Sequence, residues 1–273
     1  SAQTLLPDGR AVMLGGDMPD PDTNVPNNLS TLFSPVANAL SAGNTMNRPR
    51  WYASTTMLMN GDLYVQGGLG GEDLPEIRRA DGTFKLLTGV NTWPLLPGFP
   101  HNWVAPDGKI FGVDMNGSYY RVDPTADDGE GSLQILGQLP AGRGAGTQWF
   151  GGAMFAPGRT LILAGLTPAA TIVDFRGSTV SLVEAEAMTA TRANGVATVL
   201  ADGRVLASGG GGDDGNTLAS AVLPLQVWNP VTNEWTTGPS LAHARLYHST
   251  AMLLPDARVL IAGGGVPGPL TNK

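Results

Sequence analysis

Six stretches of the chain share one pattern: an apolar run, a tight turn, a second apolar run and then small residues. They are LLPDGRAVMLGG (5–16), MLMNGDLYVQGG (57–68), WVAPDGKIFGVD (103–114), AMFAPGRTLILAG (153–165), TVLADGRVLASGG (198–210) and MLLPDARVLIAGG (252–264). Asp-Gly or Asn-Gly between apolar runs is typical of a two-residue β-hairpin, because glycine readily adopts the positive φ that such a turn needs. The turn residues recur every 45 to 54 residues, at Gly9, Gly61, Gly108, Gly158, Gly203 and Ala257. This repeat predicts a modular fold built from hairpins.

Between the hairpins lie strand pairs that are more polar than the hairpins themselves, and these pairs would complete four-stranded units. The clearest is LQVWNPVTNEWTTGPSL (225–241), in which the turn residues lie between two tryptophans. FSPVANALSAG (33–43), IRRADGTFKLL (77–87) and YRVDPTADDGEGSLQIL (120–136) have the same pattern. A four-stranded unit repeated about every 50 residues is typical of a kelch-type β-propeller. We therefore predict an all-β, kelch-type propeller in which the aromatic residues pack between blades.

The number of repeats is smaller than a closed kelch-type enzyme propeller needs. The chain holds five full units and the start of a sixth. Such propellers typically close with seven blades, or about 350 residues at this period. Unpaired first and last blades would expose sheet edges, which proteins generally avoid. We therefore expect residues 1–273 to be one propeller domain that is incomplete at both ends, a piece of a longer protein.

The charge and cysteine content exclude several functions. The 273 residues contain 16 Lys and Arg against 23 Asp and Glu, a net charge of −7, and no cysteine. A net negative surface does not attract phosphate backbones or anionic lipids, so we expect no nucleic-acid partner. No apolar run approaches the roughly 20 residues of a transmembrane segment. Without cysteine, these residues form no disulfide.

The repeat gives one residue of each unit an equivalent position. The strand that leads into each hairpin turn would be the innermost strand of its blade, so residues at its start would gather around the propeller axis. Nine positions before the turn residues lie Tyr52, Phe99, Trp149, Asn194 and His248, with Tyr247 directly before the last. Phenol, indole and imidazole side chains at the mouth of an axial channel form a candidate site.

Two of these positions lie in segments that resemble the copper radical oxidases, the family of galactose oxidase and glyoxal oxidase. Arg50-Trp51-Tyr52 precedes MLMNGDLYVQGG, and Arg245-Leu246-Tyr247-His248-Ser249 precedes AMLLPDARVLIAGGG. The similarity extends over the whole chain, and the closing GGGVPGPLTN resembles the bacterial branch nearer to glyoxal oxidase. The resemblance implies a seven-bladed propeller that holds one copper ion, followed by a C-terminal β-sandwich domain that these residues do not include.

The resemblance also implies a role for each matched residue. Tyr52 matches the tyrosine that is joined by a thioether to a cysteine and forms the redox-active radical. Tyr247 matches the axial tyrosine, and His248 matches one of the two copper histidines. Trp149 is the candidate for the indole that covers the thioether, from its register alone. The family's cysteine would fall immediately before the first residue of this chain, and the other copper histidine would come from beyond its last.

The implied activity is a two-electron oxidation of a small aldehyde, a primary alcohol or a carbohydrate, with O2 as acceptor and H2O2 as product. Imidazole and phenolate are suitable Cu(II) ligands. Copper exchanges one electron, and the tyrosyl radical of Tyr52 supplies the second. Tyr247 would act as base for the substrate's proton. The resemblance further implies an extracellular or periplasmic monomer, and we expect these 273 residues alone to be inactive.

Alternatives to this interpretation follow from the same residues. A kelch-type propeller can also bind a glycan or a protein partner without redox chemistry. His101, in a Pro-rich segment, and His243, before the last hairpin, are interpreted as loop residues rather than copper ligands. Three arginines that precede the candidate positions could orient an anionic or aldehyde substrate or could anchor neighbouring blades. They are Arg50, Arg192 and Arg245.

Overall fold

The computed structural model describes residues 1–18, 20, 23–144, 150–212 and 217–264 of the chain. Apart from two short helical turns, the regular structure of these residues consists of strands. The strands belong to two compact units, Ser1–Gly137 and Gln138–Lys273. Within the described ranges, no helix is long and apolar enough to cross a membrane. The all-β prediction is confirmed.

The first unit contains three four-stranded sheets. Its first six strands are β1 (Ala2–Leu5), β2 (Ala11–Leu14), β3 (Asp17–Met18), β4 (Val25–Pro26), β5 (Ser30–Ser34) and β6 (Ala39–Ala42). The first sheet has the order β1-β2-β5-β6, and β3 pairs with β4 separately. The second sheet contains β7 (Trp51–Met57), β8 (Leu63–Leu69), β9 (Glu76–Arg78) and β10 (Phe84–Leu86). The third contains β11 (His101–Val104), β12 (Ile110–Val113), β13 (Ser118–Asp123) and β14 (Ser132–Gln138), with the helical turn α1 (Ala126–Gly129) before β14.

The second unit contains two four-stranded sheets and one two-stranded sheet among its described residues. The first of them contains β15 (Gly151–Ala156), β16 (Arg159–Leu163), β17 (Ala170–Asp174) and β18 (Ser181–Ala185). The next contains β19 (Val196–Val199), β20 (Val205–Ser208), β21 (Pro224–Asn229) and β22 (Glu234–Ser240), with a 3-10 turn at Leu218–Ser220. The last pair is β23 (Ser249–Leu253) and β24 (Val259–Gly263). Each four-stranded sheet is ordered as a propeller blade, which confirms the predicted fold class and the count of five to six blades.

The predicted hairpins are the first two strands of each sheet, and all six pair antiparallel. Every turn residue of these hairpins has a positive φ, between 64° and 87°. Five of them are glycine, which has no Cβ to clash in this conformation. The sixth is Ala257, at φ 64°. The last hairpin therefore carries backbone strain that the others lack.

We expect Ala257→Gly to stabilise the chain by about 1 kcal/mol, because a Cβ in the left-handed region costs roughly 1–2 kcal/mol and the extra freedom of unfolded glycine removes only part of this gain. The matched control is Gly203→Ala, at the same position of the β19–β20 turn. A Cβ there would meet no atom within 4 Å, so only backbone strain acts. The control should destabilise by a similar amount. Urea denaturation measures both variants, and an Ala257→Gly variant no more stable than the parent would contradict the strain.

The apolar core lies between neighbouring sheets of each unit. In the second unit, Trp228 of β21 is fully buried, and its ring meets that of Phe155 of β15 edge-on with centroids 5.0 Å apart. Leu161 of β16 and Val205 of β20 belong to the same buried cluster. An equivalent cluster joins β2 and β8 in the first unit. The prediction that aromatic residues pack between blades is confirmed for Trp228.

Candidate functional site

The predicted site positions share an unusual backbone conformation. The φ angle is 69° at Tyr52, 45° at Phe99, 59° at Asn194 and 65° at His248, so all four that the structure describes are left-handed. The fifth, Trp149, lies outside the described residues. Residues other than glycine rarely adopt positive φ, and such strain concentrates at functional sites. The repeat register therefore corresponds to a repeated backbone feature, and the chemical roles of its side chains stay predictions.

These positions lie where the first strand of each sheet begins. Tyr52 is the second residue of β7, whereas Phe99, Asn194 and His248 precede β11, β19 and β23 by one or two residues. In the first unit, β7 contacts both β1 and β11, and in the second unit β19 contacts both β15 and β23. The backbone N–H of Phe99 donates to the carbonyl oxygen of Tyr52 at 2.9 Å. Neighbouring first strands of one unit thus place their register residues side by side.

Glycine pairs at the end of the second strands allow this close approach. A Cβ at Gly15 would lie 2.2 Å from the carbonyl oxygen of Arg50, and one at Gly209 would lie 2.4 Å from that of Arg245. The glycine that follows each of them donates its N–H to the same carbonyl oxygen, at 2.8 and 2.7 Å respectively. Only glycine fits so near another backbone. The glycines that close these two repeats therefore fix where the next first strand begins.

Tyr52 belongs to an aromatic group in the first unit. Its half-buried ring lies 4.1 Å from the ring of Trp51, tilted by 36°, and 4.4 Å from that of Phe99, tilted by 47°. Adjacent side chains of a regular strand point to opposite faces, and the positive φ of Tyr52 breaks this alternation. The contact between Tyr52 and Trp51 therefore does not follow from the sequence pattern, because strand alternation predicts that the two rings lie on opposite faces.

Tyr247 and His248 form the corresponding pair in the second unit. Their rings are stacked, with centroids 3.7 Å apart and planes 26° from parallel. Partial desolvation lowers the pKa of His248, which is an exposed residue, below its ordinary value. A lowered pKa leaves the imidazole neutral at pH 7, and the neutral ring is the form that binds a metal ion. The structure therefore brings together two of the side chains that the resemblance assigns to copper.

Two of the three arginines before the register positions, Arg50 and Arg192, are buried in contacts within their own sheets. Arg50 is fully buried, and its guanidinium pairs with Glu76 at 2.9 Å and donates to the carbonyl oxygen of Gly67 at 2.9 Å. Arg192 donates to the carbonyl oxygen of Gly209, and Arg245 to that of Gly263. Each side chain thus binds the end of the second strand in its own sheet. The substrate-orienting alternative is wrong for Arg50 and Arg192, because both are buried in these contacts.

The two remaining histidines differ from each other. His101 is the first residue of β11, and its half-buried ring stacks on that of Trp103 with centroids 6.0 Å apart. The prediction that His101 lies in a loop is therefore wrong, because the strand begins directly after Pro100. His243 lies in an exposed bend before β23, as expected for a loop residue.

The residues that the resemblance assigns to copper belong to different units. Tyr52 lies in the first unit, whereas Tyr247 and His248 lie in the second. Within the described part of the chain, no cluster of three or more His, Cys, Asp or Glu could hold a metal ion.

Solved structures share the fold of this chain. A fungal alcohol oxidase of the AA5 family, in complex with copper, aligns with a TM-score of 0.83 and 21% identity over 99% of this chain. The alignment covers 59% of the oxidase, so the chain spans less than two thirds of its length. The structure of YjhT aligns with a TM-score of 0.66 and 16% identity, over 98% of this chain and 90% of its own. At these identities the likeness shows the fold alone. No family model and no curated protein matches the chain.

Proposed function

We propose that the chain is the propeller part of a copper radical oxidase that oxidises primary alcohols or small aldehydes with O2. The observation that carries this proposal is the left-handed conformation shared by Tyr52 and His248, the residues of the two oxidase-like motifs. Phe99 and Asn194 share this conformation, so the repeat itself produces it, and in the two oxidase-like motifs the position holds a phenol and an imidazole, side chains that suit Cu(II). The fold shared with an alcohol oxidase in complex with copper is consistent with it.

The donor atoms of the candidate residues fit copper. Tyr52 and Tyr247 offer phenolic oxygens, and His248 offers a ring nitrogen that its lowered pKa keeps unprotonated. These three residues would hold the ion, together with a histidine and a thioether-forming cysteine from outside the chain. When bound, copper would accept one of the two electrons that the substrate releases, and oxidised Tyr52 would accept the other.

The chain's own residues would position and deprotonate the substrate. Oxidation of RCH2OH to RCHO releases two protons and two electrons, which convert O2 to H2O2, and an aldehyde hydrate gives RCOOH in the same way. The Oη atom of Tyr247, as phenolate, would accept the hydroxyl proton. The rings of Trp51 and Phe99, at 4.1 and 4.4 Å, would shield Tyr52 from water. Trp149 stays the candidate for the indole that covers the thioether.

Copper loading of the full-length protein tests the proposal. We expect small aldehydes or primary alcohols to cause peroxide release, measured with a peroxidase-coupled dye, and an oxidant to produce tyrosyl-radical absorbance. Bound copper with neither signal would overturn the proposal and favour a propeller that binds a glycan or a protein partner without redox chemistry.

We expect His248→Ala to weaken Cu(II) binding by at least about tenfold, since even residues that only support a metal ligand contribute 10–100-fold. His243→Ala is the matched control, because this exposed histidine lies only five positions earlier in the chain. Calorimetric titration of the apoprotein with Cu(II) measures both affinities. Equal losses in the two variants would show that His248 is not a ligand.

A further inference from the structure

A cavity of about 250 Å³ lies in the first unit, at the β1–β2 and β7–β8 turns. Leu6, Pro7 and Asp8 line one side of it, and Asn60, Arg78 and Ala80 line the other. Asn60 follows the end of β7, eight residues from Tyr52 at the other end of that strand. At about 3.3 Å per residue, the separation along the strand is roughly 26 Å. The cavity is therefore distinct from the candidate redox site.

Arg78 is an arginine in this wall that forms no close ion pair, although the charges of Asp8 and Asp81 act on it. It is the last residue of β9 and is 5% exposed. Its guanidinium makes one hydrogen bond among the described residues, from Nη1 to the carbonyl oxygen of Arg79 at 3.3 Å. None of the ion pairs among the residues that the structure describes includes Arg78. A guanidinium has five N–H donors, and a buried charge without a partner is costly.

Arg50 of the same unit shows how a buried arginine is usually satisfied. Its guanidinium pairs with Glu76 at 2.9 Å and also donates to carbonyl oxygens, including that of Leu74 at 2.7 Å. Arg78 has no such set of acceptors, although it is nearly as buried. The difference between the two side chains is that Arg78 lines a cavity. Its unused donors therefore point to a ligand that enters from solvent.

The other polar groups of the wall are already engaged within their own turns. Asp8 accepts hydrogen bonds from Nε and Nη2 of Arg10, at 2.8 and 2.7 Å. The side-chain amide of Asn60 donates to Asp62 at 2.8 Å. Burial, and then the neighbouring charge of Arg10, lowers the pKa of Arg78, whereas the carboxylates of Asp8 and Asp81 raise it. Arg78 is thus the cationic group available to a ligand.

We propose that this cavity binds the carboxylate of a small aliphatic acid. The planar guanidinium of Arg78 matches the two oxygens of a carboxylate. The alkyl part of the acid would lie against the apolar walls, Leu6, Pro7 and Ala80. The cavity is smaller than the 300–1,000 Å³ that is common for drug-sized ligands. An acid of about four carbons therefore suits both its chemistry and its size.

Butyrate and butanamide distinguish this site from a merely apolar hollow, because they have nearly the same shape and only butyrate is charged. We expect butyrate to bind the chain with a Kd near 1 mM in an NMR titration, with shifts at the two turns, and butanamide to bind at least tenfold more weakly. Equal binding of the two compounds would overturn the proposal. Inorganic phosphate binding more tightly than butyrate would also overturn it, because the apolar walls would then have no role.

Three variants locate the binding. Arg78→Gln should weaken butyrate binding at least tenfold, whereas Arg79→Gln, which removes the adjacent exposed charge, should change it less than twofold. Ala80→Leu keeps Arg78 but fills the cavity, and it should also weaken binding at least tenfold. This variant decides the question if Arg78→Gln does not fold. Unchanged butyrate affinity in Ala80→Leu would place the binding elsewhere.

Discussion

Tyr52→Phe should abolish peroxide release by the copper-loaded, full-length protein and leave its fold intact. Phenylalanine keeps the ring that contacts Trp51 and Phe99, so these contacts at 4.1 and 4.4 Å persist. It lacks the oxygen that would bind copper and the phenol that would be oxidised. Since enzymes accelerate reactions by at least about 10⁶-fold, loss of one of two electron carriers should cost at least about 10³-fold in turnover.

A peroxide assay and visible absorbance of the oxidised protein measure this effect. Tyr119→Phe is the matched control, because Tyr119 is another half-buried tyrosine of the first unit and lies in β13. The control should keep turnover and radical absorbance, and both variants should unfold at the temperature of the parent. A Tyr52→Phe variant that still releases peroxide at the parent rate would exclude Tyr52 as the redox tyrosine.

Glu76→Gln should destabilise the first unit by about 3 kcal/mol, because removal of one partner leaves a buried charge uncompensated. Both side chains of the Arg50–Glu76 pair are fully buried. Oε1 of Glu76 accepts from Nε of Arg50 at 3.0 Å, and Oε2 accepts from the backbone N–H of Asn47 at 2.8 Å. A glutamine keeps the shape but replaces one acceptor with a donor.

The second unit offers the reciprocal substitution. Gln226 of β21 lies opposite Ala207 of β20, as Glu76 lies opposite Val65 of β8, and it accepts a hydrogen bond from Arg192 at 3.3 Å. Burial lowers the pKa of Arg192 to about 10. Among the described residues, neither Nε of Arg192 nor Nε2 of Gln226 has a hydrogen-bond partner. Gln226→Glu should therefore stabilise the chain by about 1–2 kcal/mol, because it removes two unsatisfied donors.

Urea denaturation followed by circular dichroism measures the reciprocal pair. We expect the transition midpoint to fall for Glu76→Gln and to rise for Gln226→Glu. If both variants lose stability equally, isosteric fit rather than charge governs these positions. If neither changes it, the buried arginines contribute through their carbonyl contacts alone.

Short-range patterns predicted most of the strands. The hairpins follow from a turn residue such as Gly61 between two apolar runs, and the strands on each side are its immediate neighbours in sequence. The turn between Trp228 and Trp235 likewise specifies the pairing of the two strands on which these residues lie. The register nine positions before each turn also follows from the sequence, because the distance spans only one strand and the residues that flank it. The resemblance, rather than the count, assigned chemical roles to Tyr52, Tyr247 and His248.

Side-chain environment could not be predicted in the same way. Arg50 and Arg78 are both arginines of the second repeat, and the sequence does not distinguish the one that is paired with Glu76 from the one that lines a cavity. The partner of Arg50 lies 26 positions later in the chain, and the cavity beside Arg78 exists only where two turns meet. His101 was misplaced because the start of β11 depends on pairing with β12 rather than on the preceding prolines.

The sequence by itself determined the repeat, the turn chemistry and the blade as the unit of the fold, since hairpin geometry depends on local φ preferences and on alternation within a few residues. The tertiary structure decided how one blade constrains the next. A Cβ at Gly15 would lie 2.2 Å from the carbonyl oxygen of Arg50, a residue 35 positions later in the chain. The left-handed conformation at Tyr52 follows two residues after Arg50. Contacts between residues so distant in the chain exist only once the sheets have packed together, and these contacts orient the rings of the candidate site.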